Sequence, residues 1–451
     1  MKDINITIIG GGSRLWAISF MKDLTLNKEA HGTVTLYDIA PKAAQNNVEV
    51  GTRMLSLNGE GQNGQEGRFK YRAEKEIEKA LDGADLVIIA IEPGRIECRR
   101  ADLLLPEEYG IKQTVGDTTG PGGLIRARRA LPLFFEFARE IKRCCPAAWV
   151  INYTNPMTLC TAALYKAFPE IKAFGCCHEV FHAEDNLCRL AEKKYGTLPS
   201  RRELDVDVTG VNHFTFITSA SWNGHDLLKD VQELIRQPDT FCDRTAEAER
   251  RLKEEKWFEC DSLVAYTFFK NFGVLGAAGD RHLAEFVPWF LSDEKYLNSL
   301  GVIRTPYSWR VKNDAEKKAK VFTDEELKVS PSGEEGVDIM MALLGNGTLK
   351  TNMNMPNRGQ ITFLPEGRIV ESLGLISLDR VTPLVSANPP LAVQNLIRRI
   401  SDEQDIALNA IWNADDNLLF QAFLMDPLVN LPINKARELF DRMLVEGRLQ
   451  Y

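Results

Sequence analysis

The sequence predicts an α/β protein, with a Rossmann-type parallel-sheet domain over residues 1–175 followed by an α+β domain over residues 176–451. Three observations carry this. The chain opens on an apolar run that ends in Gly10-Gly11-Gly12. Further apolar runs alternate with helical stretches as far as Gly175, the pattern of parallel βαβ units. Beyond residue 180 the order changes to paired strand-like runs and then apolar helices, and a chain of 451 residues is long enough for two cores.

In the first domain, strands are expected at residues 4–9, 33–37, 86–91, 149–153 and 171–175. Most are unbroken apolar stretches, as suits strands buried on both faces. Helices are expected between them at 15–26, 40–56, 74–81 and 125–144. The second domain begins with a helix at 184–195 and a polar link, then strands at 206–211 and 214–221. A charged helix at 245–256 and apolar helices at 390–400 and 418–424 follow.

Composition excludes several roles. The net charge of −8 offers no general attraction to nucleic acid or anionic lipid, so neither is an expected partner. No apolar run of 18 residues appears, and the N-terminus lacks a signal-peptide cleavage site, so a cytoplasmic protein is expected. The nine cysteines are an odd count, which favours free thiols or a metal ligand over a disulfide framework.

The run ITIIGGGSRLW reads as strand, glycine turn and helix start. Gly10 allows the tight turn, and Gly12 lets the backbone approach a pyrophosphate lying on the helix N-terminus. Gly11 and Ser13 complete the cradle; Leu15 stands where a third glycine is usual. Asp38 ends the second strand, placed to accept from ribose hydroxyls, which favours NAD over NADP. Glu92, after the third strand candidate, is a further expected cofactor contact.

Open α/β sheets bind ligands outside the carboxyl ends of their strands, and here those ends are polar. They include TVGDTTGPGG with Asp117, INYTNPM with Asn155, and GCCHEV with Cys177 and His178. His213 follows in GVNHF. Thiolate and imidazole together suit a borderline divalent cation, while a buried thiol and a hydrogen-bonded core histidine are the plainer alternative.

Taken in order, GGGS, VGDTTGPGG, NYTNPM, GCCHEVF, GVNHF, GDRHLAEF and NMPNRGQITFLP resemble glycoside hydrolase family 4, the NAD- and metal-dependent glycosidases. The resemblance implies a redox-neutral elimination–addition. Hydride leaves C3 of the sugar and later returns, a base takes the C2 proton, the C1 substituent departs and water replaces it. It implies Cys177 and His213 as ligands of a divalent metal, Mn2+ first among the choices. It also implies Tyr266 as the C2 base, Asp261 as the carboxylate assisting it, and Asn155 as a ligand for substrate hydroxyls. His178, directly after the metal cysteine, and Asp117 point away from 6-phosphoglycosides; either one is the expected leaving-group acid.

GCCHEVF, GDRHLAEF and SGEEGVDIMMALLGNG look most like the α-galacturonidase branch of that family. A uronide carboxylate calls for a fork-shaped cation, and Arg281 is the expected partner, with Arg126 and Arg358 next. The expected substrate is therefore a small pectin fragment or uronide, and a homodimer or homotetramer is the expected assembly. Within the family the alternatives are α-glucuronidase, α-galactosidase or α-glucosidase. Outside it stand an NAD-dependent 2-hydroxyacid dehydrogenase, since lactate and malate dehydrogenases share this superfold, and a non-catalytic NAD-responsive binder.

Overall fold

The computed structural model describes residues 2–60 and 67–448. Strands β1 (Lys2–Ile9), β2 (Ala30–Tyr37), β3 (Phe69–Glu74), β4 (Leu86–Ile89), β5 (Trp149–Asn152) and β6 (Lys172–Gly175) pair in parallel. Their order, β3-β2-β1-β4-β5-β6, is that of a Rossmann sheet. Side chains alternate between its two faces, as strand geometry requires. Ile9, Val87, Ile89 and Val150 enter one core, and Ile8, Ile88, Ile151 and Phe174 the other.

The remaining strands are β7 (Asp205–Val211), β8 (Phe214–Trp222), β9 (His225–Asp226), β10 (Leu275–Gly276), β11 (Leu349–Pro356), β12 (Ile369–Ser377) and β13 (Arg380–Pro383). They extend the same sheet in antiparallel fashion, through Asn354 of β11 opposite Gly175 of β6. Thirteen strands thus form one sheet among the described residues. No helix among them is long and apolar enough to cross a membrane.

Three local differences from the expected elements have physical reasons. β3 has the edge-strand pattern, Phe69 and Tyr71 inward with Lys70 and Arg72 between them, so it lacks an apolar run. The helix expected at 74–81 shortens to Ile77–Leu81 because β3 uses its start. The helix expected at 125–144 starts earlier, at Gly120, so the glycine-rich stretch after Asp117 forms its first turn, with Pro121 in that turn. A Cβ on Gly122 would lie 2.6 Å from the Asp102 carbonyl oxygen, and the buried Asp426 carboxylate accepts the Gly120 amide at 2.8 Å. Helices Cys98–Glu108 and Met157–Ala167 were not expected from the sequence pattern.

Candidate active site

The glycine turn follows β1 directly. Gly10 has φ +91°, and a Cβ there would sit 2.1 Å from the Ala90 carbonyl oxygen, so only glycine fits. The Gly10 and Gly11 amides donate to the Tyr37 carbonyl at 2.9 Å each. Asp38 Oδ2 accepts the Gly12 amide at 2.9 Å, which ties the end of β2 to the turn. Ser13 Oγ accepts the Trp16 amide at 3.1 Å at the start of the helix Trp16–Leu26. Asn47, fully buried, clamps the turn from below by donating to the Gly11 and Ser13 carbonyls at 2.8 and 3.0 Å. A cradle with no Cβ at Gly10 or Gly12, backed by a helix N-terminus, fits a dinucleotide pyrophosphate.

Farther along the strand ends, Glu92 forms an ion pair with Arg126, whose Nε donates to the Asn155 carbonyl at 2.9 Å. The Asn155 side-chain Oδ1 is buried without a partner. Trp16 stacks on Tyr153 with ring centroids 5.0 Å apart and lies 5.9 Å from His178, so an aromatic wall joins the glycine turn to the end of β6.

Cys177 follows β6, and His213 sits in the two-residue turn between β7 and β8. His213 has φ +65°, a left-handed conformation that costs on the order of 1 kcal/mol and recurs at functional sites. Its Nε2 lies 3.1 Å from Cys177 Sγ, and its Nδ1 2.9 Å from Thr118 Oγ1. The ring packs against His282 at 3.9 Å between centroids. Ligand atoms of Asp117, His213 and His282 fall within 4.8 Å of one another. Burial and the neighbouring His282 pull the His213 imidazole down to about 3, so it is neutral, as a ligand must be. Burial, with Glu371 and Glu179 nearby, pushes the Cys177 thiol well up, and a bound cation would displace that proton. Thiol, imidazole and carboxylate so gathered fit a borderline divalent cation.

Asp117 is a carboxylate in a cationic setting. Burial alone would raise it, but His282, Arg99 and Arg126 hold it well below the usual range. His178 is half-buried, with Nδ1 3.3 Å from Glu334 Oε1.

Tyr266 lies on the helix Leu263–Phe272. Burial, Asp280, Cys260 and Asp261 push its phenol up to about 12, the wrong direction for a base unless a cation stands close. Asp261 pairs with Arg251 at 3.0 Å. Asp280 is the stronger carboxylate neighbour; Oδ1 accepts the Val264 and Ala265 amides at 3.1 Å each, fixing the first turn of the Tyr266 helix.

Of the three arginines, Arg126 is committed to Glu92, and Arg358 is exposed beside Tyr165. Arg281 is buried next to His282; its Nη2 donates to the Thr305 hydroxyl at 2.5 Å and the Thr114 carbonyl at 3.3 Å.

Against this geometry, the comparisons are consistent. Residues 5–193 match the family 4 glycosyl hydrolase model, and residues 208–429 match the family 4 glycosyl hydrolase C-terminal domain. The chain belongs to family 4 of the glycosyl hydrolases. An alpha-galacturonidase of Thermoanaerobacter italicus is 42% identical over 99% of this chain and 97% of its own. One from Bacillus subtilis is 43% identical over 98% and 97%. An alpha-galactosidase of Bacillus subtilis is 27% identical over 94% and 92%. A solved Bacillus subtilis structure, named as a glucosidase, superposes with a TM-score of 0.88 at 41% identity, covering 98% of this chain and 100% of that one.

Several site residues of this family 4 chain were not singled out from sequence. Glu179 accepts the Gly279 amide at 2.6 Å and lies 3.9 Å from both His178 and His282; burial would raise it, yet His282, His213 and His178 hold it at about 2. It and His282 stood inside quoted motifs, GCCHEV and GDRHLAEF, so a signal existed. Glu371 carried none. Buried in β12, it accepts from Asn352 at 3.0 Å, Asn354 at 3.1 Å and Thr215 at 2.5 Å. Asn352 also donates to the Cys177 carbonyl at 3.1 Å, so Glu371 through Asn352 braces the backbone that carries the thiol.

Proposed function

We propose that this family 4 glycosyl hydrolase is an α-galacturonidase that releases galacturonate from small pectin fragments, with NAD and a divalent cation, Mn2+ first, as resident groups. The observation that carries the substrate is the full-length likeness to relatives named alpha-galacturonidase, against a much weaker likeness to one named alpha-galactosidase.

Gly10, Gly11, Gly12, Ser13 and Asp38 hold the dinucleotide, with Glu92 beside it through Arg126. Cys177 and His213 hold the cation, and the proximity of Asp117 and His282 adds them to its surroundings. When bound, NAD supplies a hydride acceptor for C3, and the cation supplies positive charge against oxygens O2 and O3.

Asn155 orients the sugar, its unpartnered Oδ1 accepting from a hydroxyl. Tyr266 takes the proton from C2 and returns one. Asp280 positions Tyr266 by capping its helix, while Asp261, paired with Arg251, is a further carboxylate within electrostatic reach of the phenol. His178 donates the proton to the departing C1 oxygen. His178 is raised, against its burial, by Glu334 and Glu179 and so has a proton to give, whereas Asp117, equally half-buried, is held as a carboxylate by His282, Arg99 and Arg126.

Incubation of digalacturonate with protein, NAD+ and Mn2+ is expected to release galacturonate with no net NADH. Chelation combined with cofactor stripping is expected to remove the activity, and re-addition of both to restore it. Full activity after stripping would contradict the reading, and steady NADH accumulation would identify a dehydrogenase instead.

A further inference from the structure

Three guanidinium groups converge on one short loop, 114–117, at the substrate end of the site. Arg99 donates to the Val115 and Gly116 carbonyls at 2.9 and 3.1 Å, and Asp102 lies 3.7 Å away. Arg281 donates to the Thr114 carbonyl at 3.3 Å. Arg310, on the helix Tyr307–Ala319, donates to the Val115 carbonyl at 3.2 Å. Arg99 alone is enough to staple this loop. Arg281 and Arg310 add two charges there, yet among the described residues neither has a carboxylate within 4.0 Å. The nearest acids act on them only from beyond contact: Glu285 accepts the Val115 and Gly116 amides at 2.7 and 2.9 Å, and Asp117 the Thr118 hydroxyl at 2.8 Å.

Gathering like charges out of water is unfavourable unless an anion completes the group. Burial, then Arg99 and Arg281, pull the Arg310 guanidinium down to about 9, against the opposing pull of Asp117 and Glu285. The Nε–H groups of Arg281 and Arg310 are both buried without an acceptor, so each retains a donor for an incoming anion. Exposure separates the three. Arg99 and Arg281 are 4% and 8% exposed, whereas Arg310 is only half-buried. The cluster is adjacent to His282, whose ring packs on His213, and therefore lies with the sugar rather than with the glycine turn.

We propose that Arg310 is a specificity-determining residue that, with Arg281, grips the C6 carboxylate of the galacturonide. This rests on the galacturonide reading above. The carboxylate supplies the directly contacting anion that neither arginine has, and the planar fork of Arg310 suits its two oxygens. A neutral galactoside leaves the buried Nε–H donors of Arg281 and Arg310 without a charged acceptor, so it is rejected as well as held less tightly.

The test compares kcat/KM on p-nitrophenyl α-galacturonide and α-galactoside, with galacturonate binding followed by calorimetry, in the holoenzyme. Wild type is expected to prefer the galacturonide. Arg310→Met is expected to lower the galacturonide-to-galactoside ratio and weaken galacturonate binding, each about 10–100-fold. Arg310→Lys is expected to recover only part, because the charge returns without the fork. An NAD-dependent rise in Tm checks that each variant is folded. If Arg310→Met does not fold, Arg310→Lys decides, and an unchanged ratio in it overturns the proposal. So does an unchanged ratio in folded Arg310→Met while wild type still prefers the galacturonide; that result leaves the α-galacturonidase reading standing. No galacturonide turnover by wild type overturns both.

Discussion

Cys177→Ser and His213→Ala are each expected to reduce turnover by about 10³-fold or more while NAD affinity stays close to wild type. The two side chains meet at 3.1 Å, and in the proposed mechanism they would hold the cation, which would supply positive charge against the oxygen anion that develops on the sugar. A cation that stabilises developing charge is worth several kcal/mol, and each ~1.4 kcal/mol is a decade in rate. The glycine turn does not depend on either residue. It is held by the Tyr37 carbonyl, Asp38 and Asn47. NAD binding by calorimetry beside steady-state rates separates the two effects. Wild-type rates in both variants after chelation would remove the cation from the mechanism; parallel loss of NAD affinity would make the pair structural.

Tyr266→Phe is expected to lower kcat about 10²–10⁴-fold, the usual cost of losing a positioned proton-transfer group. The ring stays, so packing against the core changes little, and Tm is expected to hold. Its phenol is pushed up to about 12 by burial and by Asp280, so the base role requires the cation. The deficit is therefore expected to be large only in cation-loaded enzyme. A Tyr266→Phe variant with near-normal kcat would move the base elsewhere.

The parts of this site that the sequence made legible are those where local pattern and chemistry coincide. The turn after β1 is readable because strand, glycine and helix start are contiguous, and Asp38 because it ends the next strand. Cys177 and His213 are readable as a thiol and an imidazole at polar element ends, though their approach depends on the β7–β8 turn. What was not legible depends on distance along the chain. Asp280 works by accepting amides 15 and 16 residues earlier, which no local window registers. Glu371 is a single acid in a strand, and its meaning comes only from Thr215, Asn352 and Asn354 around it. Arg310 lies on a charged helix with no buried residues, where the plain expectation is a solvated side chain. The GPGG stretch fell outside the helix expected at 125–144 because glycine and proline usually break helices, whereas here close packing on Asp102 and Thr118 requires Gly122 and Gly123.

The central claim is that the glycosidic bond breaks by elimination after the C2 proton is removed, and solvent exchange at C2 tests it most directly. Digalacturonate hydrolysed in D₂O with NAD+ and Mn2+ is expected to yield galacturonate carrying deuterium at C2, read by NMR or mass spectrometry. The departing proton goes to Tyr266, and its replacement comes from solvent. Galacturonate formed at full rate with only protium at C2 would contradict the elimination and the role of Tyr266 with it.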